Sequence, residues 1–172
     1  KKMKQIIKSL AIAVVMLAFA GTVQAQTATA TSNAAAVIIA PLSITNTGGL
    51  HFGTIMRSAT AGDVSIATDG TRSSTGGVTL SALAPVHSAA TFSVEGEDGR
   101  TVTITLPGTI TIVNLAADDM DVDNFVSDPD DANPVTLTGA ATVLRVGATL
   151  NVDANQPSGT YTGTFDVSVN YN

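Results

Sequence analysis

Cysteine is absent from the 172-residue chain, which excludes disulfide frameworks, cysteine nucleophiles, thiolate zinc sites and iron–sulfur clusters. A lipid anchor carried on an N-terminal cysteine is excluded with them. Tryptophan is also absent, and five phenylalanines with two tyrosines leave few aromatic platforms on which a sugar could stack. All four lysines, Lys1, Lys2, Lys4 and Lys8, lie at the very start, so no later segment can form a Schiff base or a lysine isopeptide crosslink. The longest apolar run, Leu10 to Ala20, is eleven residues, well short of the roughly 20 that a spanning helix needs.

What stands at the N-terminus is a basic start, that apolar run, and a small-residue site at Val23-Gln24-Ala25, the pattern of a secretory signal peptide over 1–25. Cleavage after Ala25 is expected to leave an exported chain, extracellular or at the cell surface, without a stable membrane anchor. Beyond that point four arginines, Arg57, Arg72, Arg100 and Arg145, face all 14 carboxylates, so the overall net charge of −6 conceals 4 − 14 = −10 in the remaining chain. Such a surface repels nucleic-acid phosphates, and nucleic acid is not expected as a partner.

Helical periodicity is missing from the remaining chain. Short alternating segments rich in Val, Ile and Thr recur between Gly, Asp, Asn and Pro, the pattern of an antiparallel sandwich or barrel, of which the sandwich is expected here. Tyr161, Gly163, Phe165, Val167, Val169 and Tyr171 alternate with polar residues over eleven positions, predicting a strand with one buried face. Phe92 and Val94, then Glu97-Asp98-Gly99-Arg100, then Val102, Ile104 and Leu106 predict a hairpin. Further strands are predicted at 34–44, 50–55, 63–67, 77–83, 109–113, 119–122, 135–137, 142–146 and 149–152. Residues 26–36, QTATATSNAAA, form a Thr/Ala-rich leader, either a flexible tail or an extended strand able to add to a sheet edge. The sandwich domain is expected over 37–172.

The segment AAAVIIAPLSITNTGGLHFGTI at 34–55 and the ending VGATLNVDANQPSGTYTGTFDVSVNYN at 146–172 resemble a secreted bacterial family named for a domain of unknown function, 4402. That family name confers no activity. More distantly, Phe52-Gly53 and Gly159-Thr160-Tyr161 resemble spore coat protein U domains and archaic chaperone-usher pilins. This chain lacks the cysteine those carry near the first strand, where Ala40-Pro41 stands. The distant resemblance implies an immunoglobulin-like sandwich completed by the N-terminal segment of the next subunit, copies of the chain as partners in a homopolymer, and an assembly chaperone. The donor residues would be Ala28, Ala30, Ala34, Ala36, Val37, Ile38 and Ile39. The acceptor would be the terminal strand with Tyr161, Phe165, Val167, Val169 and Tyr171.

Seven of the 14 carboxylates fall in 118–131, where Asp119, Asp121, Asp123 and Asp130 occupy positions one, three, five and twelve of a calcium loop. Asn124 replaces the glycine of position six, and Asp130 replaces the glutamate of position twelve, so solvated aspartates on a strand are the favoured expectation over a weak calcium site. No cofactor is otherwise expected. His51 and His87 have no ligand partner at useful spacing, and no Gly-x-Ser-x-Gly elbow occurs. The function expected is therefore non-enzymatic: a filament or pilus subunit assembled by strand donation or, alternatively, a monomeric secreted or cell-surface binding module.

Overall fold

The computed structural model describes residues 26–172, so the signal-peptide reading of 1–25 lies outside the described residues. Twelve strands and no helix are found among them. They are β1 (Ser43–Gly48), β2 (Ile55–Met56), β3 (Gly62–Ile66), β4 (Arg72–Ser74), β5 (Thr79–Leu80), β6 (Ala90–Glu95), β7 (Thr101–Thr105), β8 (Ile110–Val113), β9 (Asp119–Asp128), β10 (Val135–Thr136), β11 (Thr142–Val152) and β12 (Ser168–Tyr171). All strand pairs are antiparallel. A seven-stranded sheet runs β1-β6-β11-β3-β4, with β9 also on β11 and β8 on β9, and a three-stranded sheet runs β10-β7-β12. The described residues thus form an all-β, antiparallel sandwich, one of the two architectures that the alternating pattern predicts.

Strand β11 organises the larger sheet. One of its edges pairs with β6 over 142–146 and then with β3 over 148–152, while β9 lines the other edge. The expected break between 146 and 149 does not occur: Gly147 lets a single strand continue at the point where its partner changes. Strand β9 likewise runs on past Val122, because Asn124 takes a positive φ of 48° and inserts a bulge opposite Gly147–Thr149. The bulge reverses the parity. Phe125 turns towards the core and Val126 outwards, where unbroken alternation would bury Asn124.

Two apolar clusters result. Phe92, Val94, Val102, Ile104, Leu137, Leu144 and Val146 are buried in one, and Val64, Val78, Val122, Leu150 and Val152 in the other. Leu50 and Phe125 pack against both. A cavity lined by Val94, Val102, Leu144 and Val169 holds about 10 Å³, no more than one water.

The predicted 97–100 hairpin is corrected. Strand β6 already has β1 and β11 on its two edges, so β7 joins the other sheet, and the Glu97–Arg100 turn is a crossover between layers. Gly99, at φ 73°, donates its amide to Leu137 O at 2.9 Å, and Leu137 N donates to Arg100 O at 2.8 Å. The Asp69-Gly70 turn joins β3 to β4. There the Thr71 amide, followed by the Thr71 hydroxyl, holds the Asp69 carboxyl below its ordinary value. A depressed carboxyl stabilises the fold above the unfolded aspartate range and loses that contribution as pH falls through its own lower value.

Arg72 explains the Phe52-Gly53 motif. Its guanidinium donates to Phe52 O at 2.9 Å, Thr54 O at 3.3 Å and Ser81 O at 2.7 Å, fastening both connections that flank the β2–β5 pair to β4. Gly53 has φ 74°, and a Cβ there would stand 2.5 Å from the guanidinium. Arg72→Met should lower stability by about 2 kcal/mol in a urea titration, since three carbonyls lose a charged donor. Arg72→Lys should recover little of it, because an ammonium lacks the planar fork.

Candidate functional site

Among the described residues, β1 and β12 are outer strands of the two sheets: β1 pairs only with β6, and β12 only with β7. They approach each other without forming a ladder. In this seam the half-buried apolar residues of these two strands and their approach, Leu42 and Ile44 on the β1 side and Val169 and Tyr171 on β12, pack against the first apolar cluster. Unpaired edge groups beside an incompletely covered apolar stripe are what an added strand requires, since backbone bonds supply affinity and alternate side chains fill the stripe.

The predicted eleven-residue terminal strand is shorter than expected. Only Ser168–Tyr171 joins β7, Thr162 forms a single bridge to Val113, and 163–167 belong to no ladder. Just past that bridge the backbone runs very close to β8, where a Cβ on Gly163 would meet Ile112 Cγ2 at 2.8 Å and Thr111 O at 3.1 Å. The predicted parity is nevertheless present, with Tyr161, Phe165, Val167, Val169 and Tyr171 half-buried between exposed neighbours. The Phe165 ring meets Phe92 edge-on at 6.4 Å and Phe125 at 5.1 Å. Tyr161 has a different role from the core packing expected of it. Its hydroxyl donates to Pro157 O at 2.7 Å and accepts from the buried Gln156 amide at 3.0 Å, closing the 156–161 loop.

The first predicted strand is also displaced. Pairing begins at Ser43 instead of Ala34, because Pro41 has no N–H to give a ladder and 26–39 lie exposed outside any strand. Ala28, Ala30, Ala34 and Ala36 are exposed. Val37, Ile38 and Ile39 are 81%, 93% and 40% exposed, an uncommon display for three consecutive branched aliphatics.

At the junction of this segment with the sandwich, three residues close a hydrogen-bonded ring that sequence reasoning missed. Ala40 N donates to Glu97 Oε2 at 2.8 Å, Glu97 N donates to the Tyr171 hydroxyl at 2.7 Å, and that hydroxyl donates to Ala40 O at 3.0 Å. Gly96 makes room for it: a Cβ there would strike the Tyr171 hydroxyl and stand 3.1 Å from Leu42 Cδ1. Its sequence signals are the Pro41-Leu42 pair, the Gly96–Gly99 turn and the terminal tyrosine, but nothing in their spacing joins them.

The acidic candidates are dispersed. Asp119, Asp121 and Asp123 lie along extended β9, with Asp119 and Asp121 exposed, and Asp130 follows in the next turn. Thr111 Oγ1 donates to Asp121, Asn151 Nδ2 to Asp123, and Ala132 N to Asp130, at 2.9, 3.1 and 3.0 Å respectively. A ten-residue strand keeps its ends far apart, so the loop that the calcium spacing requires is not formed. Among the described residues no group of three or more His, Asp or Glu side chains gathers as a metal site would need.

No curated protein and no solved structure matches the chain. Residues 42–171 match the model of the family described as Domain of unknown function (DUF4402), a span that opens at Leu42 beside the ring and closes on Tyr171 within it, and the chain belongs to that family.

Proposed function

We propose that the chain is a non-enzymatic structural subunit, exported and assembled into filaments at or beyond the cell surface, in which residues 26–39 of one copy add as a strand along the β1–β12 seam of another. In this reading the sandwich is immunoglobulin-like and lacks one strand until a neighbour supplies it. The observation that carries it is the seam itself, two unpaired edges flanking a half-covered apolar stripe, in a chain that also displays Val37 and Ile38.

Energetics favour a short apolar anchor over the whole leader. Burying Val37, Ile38 and Ile39 contributes about 2 kcal/mol each, whereas the alanines add little. The 14 residues 26–39 carry no charged side chain, so the contact does not concentrate the repulsion between subunits whose side chains sum to −10. A head-to-tail contact of this kind is heterologous and need not close, which gives a filament instead of a ring or dimer.

The test is imaging and light scattering of extracellular material from cells producing the full chain, the variant lacking Gln26–Ala36, and Ile38→Asp. Filaments are expected from the first. Ile38→Asp should abolish them, since a carboxylate buried in the seam without a partner costs several kcal/mol. Deleting Gln26–Ala36 should shorten or abolish them, and filaments unchanged by both alterations would overturn the reading. Assembly should also accelerate between low and physiological salt as the like charges are screened.

The monomeric reading, a secreted or surface binding module, rests on the loop around Pro85, where Leu83 and Val86 are 71% and 76% exposed. A chain that stays monomeric at high concentration and loses partner binding on Leu83→Ser would favour it.

A further inference from the structure

The ring at Ala40 bears on the direction taken by the preceding segment. We propose that Glu97 and Tyr171 form a clamp on Ala40 that prevents residues 26–39 from folding back into their own seam and so commits them to a second copy. This deepens, and rests on, the reading of 26–39 as a donated strand.

Strand β1 runs away from Ala40, so the preceding segment can pair with β1 of its own domain only by reversing direction between Ile39 and Ser43. A two-residue reversal would place Ala40 and Pro41 at its centre. The favoured hairpin turns need positive φ at the first central residue and, in the commonest type, at the second as well. Pro41 is locked near −65°, and a proline drives the residue before it into extended backbone. A longer loop would have to free Ala40 and Leu42. Ala40 has both backbone groups engaged, by Glu97 Oε2 at 2.8 Å and the Tyr171 hydroxyl at 3.0 Å. Leu42 packs at Gly96 and in the first apolar cluster. Local sequence and clamp therefore oppose reversal together, and the seam stays open for another molecule.

Glu97 and Tyr171 are positioning residues, and the experiment separates their role from plain stability. Exported protein from the full chain would be compared with Glu97→Ala, Glu97→Gln, Tyr171→Phe and the double substitution Ala40→Asn with Pro41→Gly. The last installs an Asn-Gly pair suited to a two-residue reversal. In monomers separated by size, the Ala40 amide should be protected from hydrogen exchange. Glu97→Ala should exchange it about tenfold faster, with Glu97→Gln partly restoring protection, as loss and weakening of one charged acceptor imply.

Residues 26–39 should be cut rapidly by a non-specific protease in wild-type monomers and resist it in the Asn-Gly variant, which should stay monomeric with an unchanged or higher Tm. Tyr171→Phe should raise the protected, self-paired fraction. An unprotected Ala40 amide, or a protease-resistant leader in wild-type monomers, would overturn the clamp. Monomers with a protected Ala40 and a cleavable leader that never polymerise would uphold the clamp and overturn only the filament reading.

Discussion

Gly147→Ala should lower the unfolding free energy by about 3 kcal/mol or more, read as a shift in denaturant midpoint at unchanged m-value. Gly147 is buried within β11, where that strand's outer partner changes from β6 to β3. A Cβ built there collides with the Ile66 carbonyl oxygen and stands 2.9 Å from Ala67 C, so the obstacle is the end of β3 itself and no side-chain rotation relieves it. Moving β3 would disturb Val64 and Leu150, which are paired and lie 0% and 2% exposed in the second cluster. Gly108 provides the control. Nothing lies within 4 Å of a Cβ there and its φ is ordinary, so Gly108→Ala should change stability by less than about 0.5 kcal/mol.

Gly147 also shows how far the sequence could be read. A glycine inside an alternating pattern marks either an interruption or a close backbone approach, and local spacing cannot distinguish them. The all-β class and the parity of 161–171 were legible because both follow from side-chain alternation, a local property. Which edge a strand occupies is not local. The Glu97–Arg100 turn has hairpin chemistry, yet β6 is already flanked by β1 and β11, neither of which is its neighbour in sequence. Asn124 breaks the alternation of β9 in the way a strand end would, and only its pairing with β11 reveals a bulge. The Ala40 ring joins residues 57, 74 and 131 positions apart, beyond the reach of any spacing rule.

Phe165→Ala should destabilise the fold by about 3 kcal/mol, the lower end for loss of a packed phenylalanine because its ring is only half-buried. The residue lies within 163–167, outside every ladder, so side-chain packing holds this segment against the sandwich where β12 itself uses backbone bonds. Its two ring contacts tie the segment to different elements, Phe92 on β6 and Phe125 on β9. Phe125 in turn packs against both clusters, so loosening Phe165 should be felt in the second cluster as well as the first. A double-mutant cycle with Phe125→Ala isolates the pair, which should couple by about 1 kcal/mol beyond the area each ring buries. Limited proteolysis provides the spatial test, because 163–167 belong to no ladder whose opening exchange could read. Phe165→Ala should open 163–167 to cleavage while β11 keeps its exchange protection, and a segment that stays uncut would mean that it is held by something other than this ring.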